Sequence, residues 1–122
     1  MNAVEKLIPY ALEAAEQNLA ESGKIKKVYN GYISGFGATV IQAGLIPAAA
    51  NLEKDTDRTK GSRRLIADAL LHILEKMGYK DIDKKSLTRT AIKYKEKIKF
   101  KNDILDAATA LKLAIRTFKL ED

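Results

Sequence analysis

Cysteine and tryptophan are absent from this chain, and histidine occurs once, at His72. Without cysteine there is no disulfide framework, no thiolate metal site and no cysteine nucleophile. The serines and threonines are scattered without a partnered histidine, which leaves no acyl-transfer triad to build. Glycines occur, but no Gly-Lys-Ser/Thr follows them and no strand pattern precedes them, so a phosphate-cradling loop is excluded. The opening MNAVEKLIPYALEAAEQ carries acidic residues and no long apolar run, unlike a signal peptide, and the expected location is the cytoplasm. At 122 residues, the chain is long enough for one core, and residues 1–122 are expected to form a single helical domain.

Charge is missing from one long stretch. Val28 to Leu52, VYNGYISGFGATVIQAGLIPAAANL, holds no Asp, Glu, Lys or Arg in a chain where such residues make up 31%. A gap of that length calls for a covered position. Tyr29, Ile33, Phe36 and Val40 form one apolar stripe at helical spacing, and Gly31, Gly35, Ala38 and Gln42 lie on another face. Gly31, Gly35 and Gly37 each cost a helix about 0.5 to 1 kcal/mol relative to alanine, so packing on more than one side is expected to offset them. The stretch is therefore read as the central helix of a bundle. Asn30, Gln42 and Pro47 dilute it too far for a membrane span. Gly44 and Pro47 divide it, leaving Ile46 to Leu52 as a short second helix.

The remaining segments are also helical. Val4, Ile8, Ala11, Ala15 and Leu19 recur at helical spacing between Asn2 and Glu21, with Ser22 and Gly23 as the stop. Glu5, Glu13, Glu16 and Glu21 make the outer face of that helix acidic. EKDTDRTKGSRR is a polar loop hinged at Gly61, and Ser62 is a candidate N-cap for a helix carrying Ile66, Leu70, Ile73 and Met77. Gly78 closes that helix, and Asp83 or Ser86 is available to cap the next. IKYKEKIKFK alternates with period two, as a strand would, but no other segment reads as a strand to pair with it. A helix over about Ser86 to Lys97 is expected instead, followed by a last helix capped by Asn102. The fold class is all-α: a compact bundle of five to six helices around the uncharged one.

Asp68, His72 and Glu75 share one side of a helix, a spacing that reads better as a surface ion cluster than as a metal site. No catalytic residue, metal or cofactor is assigned, and the chain is expected not to be an enzyme. Basic residues are better organised. The net charge of +6 arises wholly between Lys80 and Lys101, where nine basic residues face three acidic ones. Lys85, Arg89, Lys93 and Lys97 are expected to form a ridge on one helix face. Arg58, Lys60, Arg63 and Arg64 surround a flexible loop, and Lys24, Lys26 and Lys27 open the second segment. Such cations suit a phosphate backbone, with salt-dependent and sequence-indifferent binding.

The central GFGATVIQAGLIPAAANL and the closing DAATALKLAIRTFK are similar to the small helical subunit of the Cmr complex, the type III-B CRISPR effector that is guided by RNA against RNA. In the first, the shared element is Gly44 and Leu45 followed by Pro47, Ala48 and Ala49. In the second it is Ala-Thr, spaced leucines and final basic residues. The chain departs from the family where Ala114, Ile115 and Arg116 stand without its tryptophan, which bears on end-on contacts between subunits. The resemblance implies a non-catalytic protein of antiviral defence, with copies of itself stacked beside other Cmr subunits. It also implies contact with guide RNA and single-stranded target RNA through phosphates, without membrane attachment, and adds Arg116 and Lys119 to the binding candidates. A second reading is a helical adaptor for an acidic protein partner or an anionic membrane surface.

Overall fold

The computed structural model describes residues 2–122. Its helices are α1 (Ala3–Asn18), α2 (Val28–Ala43), α3 (Leu45–Leu52), α4 (Arg64–Lys76), α5 (Leu87–Lys93) and α6 (Ile98–Ile115). Two three-residue strands, β1 (Lys24–Lys26) and β2 (Lys119–Glu121), complete it. The fold is the expected helical bundle, and no described helix is long and apolar enough to cross a membrane.

Apolar periodicity accounts for the packing. α4 buries Ile66, Leu70, Ile73 and Leu74 on one stripe, and α6 buries Phe100, Ile104, Leu111 and Ile115. α6 lies against α1, α2 and α4, and α1 lies against α4. Alanines line both sides of the α1–α6 contact, Ala11, Ala14 and Ala15 on one and Ala107, Ala110 and Ala114 on the other, all fully buried. Short side chains on both surfaces let the two helices approach closely. Each fully buried Leu, Ile or Phe adds about 1.5 to 3 kcal/mol of transfer free energy, so this layer dominates stability.

The uncharged helix α2 buries Tyr29, Ile33, Phe36 and Val40 as expected. Its glycine face, however, is not a packing surface. A Cβ added at Gly31, Gly35 or Gly37 meets nothing within 4 Å, and Ala38, Ile41 and Gln42 on the same side are exposed. The expectation of packing on more than one side is corrected: α2 is covered along one stripe and open along the other.

Several boundaries also move. α1 ends at Asn18, and Ser22 (φ 54°) and Gly23 (φ 75°) turn the chain into β1 rather than ending the helix. KIK therefore is a strand, which sequence reading missed because its partner lies at the other end of the chain. α5 stops at Lys93, and Asn102 sits inside α6, whose N-cap is Lys97. The period-two pattern of IKYKEKIKFK is neither strand nor one helix but a helix end, a turn and a helix start. Ser86 caps α5 by accepting from the Arg89 N–H at 3.0 Å. Ser62 stands one residue ahead of the α4 N-cap and accepts from the Arg64 N–H at 3.1 Å.

Candidate nucleic-acid interface

The loop between α3 and α4 is pinned rather than flexible. Asp55 Oδ2 accepts from the Arg63 N–H at 2.9 Å, Ser62 Oγ donates to the Asp57 carbonyl at 2.8 Å, and the Gly61 N–H donates to the buried Tyr29 hydroxyl at 2.7 Å. Gly61 takes φ 94°, a conformation a side chain would strain. Burial pushes the Tyr29 hydroxyl above its usual pKa, so it stays protonated and able to donate as well.

The loop cations are drawn into this frame. Arg58 forms a two-pronged pair with Asp68, at 2.7 and 3.2 Å. Arg63 stands 3.4 Å from Asp55, with its guanidinium 5.2 Å from the Tyr32 ring centroid. Arg64 donates to the carbonyls of Glu53, Asp55 and Lys85 at 3.1, 3.4 and 3.2 Å. Lys60 lies 2.8 Å from Glu121 and 3.4 Å from Glu21, which holds the Glu121 carboxyl below the usual range. These four side chains knit the fold, whatever else they touch.

A second anchor fixes α5. Glu53 accepts from Ser86 Oγ at 3.1 Å, from the Leu87 N–H at 2.8 Å and from the Thr88 N–H at 2.9 Å. Burial favours its neutral form, but these hydrogen bonds outweigh burial and hold its pKa below the ordinary carboxylate value. The carboxylate therefore occupies the positive end of α5.

Of the expected ridge, Lys85 precedes α5, Arg89 and Lys93 lie on it, and Lys97 does not belong to it. Lys93 pairs with Asp81 at 2.9 Å. Between Lys80 and Lys101, Lys84, Lys93 and Lys99 have carboxylate partners, whereas Lys80, Lys85, Arg89, Lys95, Lys97 and Lys101 have none among the described residues. Arg116 is likewise exposed and has no ion pair among the described residues.

The parallel ribbon makes a further cluster. Lys24 stands opposite Lys119, and Lys26 opposite Glu121. Lys27 reaches Asp122 at 3.0 Å and Lys26 its carbonyl at 3.4 Å, whereas neither Lys24 nor Lys119 forms a salt bridge among the described residues, and Lys24 feels the Glu121 carboxylate only at longer range. Like charges facing one another across strands repel, and a phosphate between them would relieve this. No periodicity announces the pairing; the signal is only that KIK and KLE both alternate around a buried or half-buried aliphatic residue.

The Asp68, His72 and Glu75 side chains do not converge. Asp68 faces Arg58, Glu75 faces Lys84 at 3.4 Å, and His72 Nε2 lies 3.3 Å from Glu13 without hydrogen-bond alignment. The ion-cluster reading fits these pairings.

The family model described as CRISPR-associated protein (Cas_Cmr5) matches residues 5–114. No curated protein and no solved structure matches.

Proposed function

The chain belongs to the Cas_Cmr5 family and is a small subunit of the type III-B CRISPR Cmr complex, and from that premise we propose that it is a non-catalytic, cytoplasmic RNA-contacting element of antiviral defence. It acts beside the other Cmr subunits, with copies of itself stacked along the complex. Its contacts with guide and single-stranded target RNA run through phosphates. The observation that carries this reading is the set of cations outside the α5–α6 turn that have no salt-bridge partner among the described residues: Lys24 with Lys119, and Lys80, Lys85, Arg89 and Arg116. Such groups can meet a phosphate without breaking an internal ion pair, and the counterions released from the RNA favour the contact. Arg58, Lys60, Arg63 and Arg64 contribute indirectly by holding the loop and α5.

Recognition of bases is not part of the reading. Tyr29 and Phe36 are buried, and Tyr94 is stacked on Phe100, so free aromatic platforms are scarce. The uncharged exposed side of α2, with Val28 and Ile41, supplies a surface for neighbouring subunits.

Reconstitution tests the proposal. Mixed with the other Cmr subunits and guide RNA, the chain should co-elute in more than one copy and retain single-stranded RNA at low salt. A chain that neither joins the assembly nor binds that RNA at low salt would sink the proposal. Binding to anionic vesicles but not to RNA would instead support an adaptor at a membrane surface.

A further inference from the structure

A cleft of about 220 Å³ opens between the start of α3 and the turn joining α5 to α6. Leu45, Ile46, Pro47, Ala91 and Tyr94 give it an apolar lining. Lys95, Lys97 and Lys101 stand around it, none has a carboxylate partner among the described residues, and no acidic residue lines the cleft. Ile98, 78% exposed, lies between two of these lysines in the chain. The wall is preformed: Tyr94 stacks on Phe100 at 4.7 Å, and Tyr79 meets both rings edge-on at 5.3 Å.

Size and chemistry narrow the occupant. Pockets for free small molecules run to about 300 to 1,000 Å³, and this one suits a single anchoring side chain. A nucleotide base would need an open aromatic face, and the Tyr94 ring is already stacked within the protein. Three unpaired lysines around an aliphatic floor match an aliphatic side chain flanked by carboxylates. We propose that this cleft docks an acidic segment of a partner protein through one inserted aliphatic residue. Docking there is separate from the RNA contacts and is tested separately.

The probe is a short peptide with one leucine between pairs of glutamates, titrated into isotope-labelled protein and followed by amide chemical shifts. A leucine-to-alanine peptide and an oligouridylate serve as comparators. Shifts should concentrate at Gly44, Ala91 and Tyr94 to Lys101, and the alanine peptide should bind about tenfold more weakly. A Lys97→Glu/Lys101→Glu protein, checked for native helicity, should lose at least as much. Equal binding of the two peptides, peptide shifts elsewhere or none at all would overturn the proposal. So would an oligouridylate that moves the same amides at lower concentration, which would make the cleft an RNA contact.

Discussion

Replacing Glu53 tests how the loop and α5 are held together. Its side chain is 9% exposed and accepts three hydrogen bonds from the first residues of α5 and its cap. Glu53→Ala leaves two N–H groups and a hydroxyl without their acceptor, and removes the anion nearest Arg64, at 3.7 Å. Loss of a charged cap with buried donors corresponds to about 3 kcal/mol. With an unfolding entropy of about 2.1 cal/mol/K per residue, that lowers Tm by about 12 °C. Glu53→Gln retains the shape without the charge and should lose less. Because the folded carboxyl titrates below its unfolded value, its contribution is complete above the ordinary carboxylate range of about 4.3. It is lost as pH falls through the folded value. Thermal and urea unfolding monitored by circular dichroism across pH 3 to 7 therefore should show the Gln deficit narrowing only below that range. A loss under about 1 kcal/mol for Ala, or a Gln deficit that narrows above the range, would refute this account of the anchor.

Three other outcomes follow from the geometry. Gly31→Ala and Gly35→Ala should each raise stability by about 0.5 to 1 kcal/mol in urea unfolding, since the added methyl meets open space and the helix gains propensity; a loss would mean that this face is packed. Phe100→Ala, at a position 1% exposed and between two tyrosines, should cost about 3 to 5 kcal/mol and disorder the α5–α6 turn, read by amide exchange. Lys24→Gln should remove the repulsion from Lys119 together with the attraction to Glu121, leaving Tm nearly unchanged while weakening RNA binding; a lower Tm together with unchanged binding would reverse the assignment of that lysine pair.

The apolar stripes were legible because each amphipathic helix writes its burial at a fixed spacing. Tyr29, Ile33, Phe36 and Val40 fall inside just as their period demands. Gly44 and Gly78 mark helix ends with φ of 102° and 105°, as glycine's freedom at positive φ allows. The face opposite the α2 stripe was misread because lack of charge was equated with burial, whereas small uncharged residues can equally line an open face. The ribbon was invisible for a different reason: three residues carry no period, and pairing across most of the chain is a tertiary event. Basic residues were found, but not their partners. Spacing places Arg58 near a loop, yet only the fold brings Asp68 against it.

The claim that the chain contacts RNA through unpartnered cations is tested most directly by the salt dependence of RNA affinity. Single-stranded RNA would be titrated against Cmr complexes carrying either the wild-type chain or one with Lys24→Ala, Lys85→Ala, Arg89→Ala and Arg116→Ala together. The account predicts unchanged assembly and a slope of log affinity against log salt that is shallower by about 0.7 for each phosphate contact removed. Identical slopes in two fully assembled complexes would contradict it.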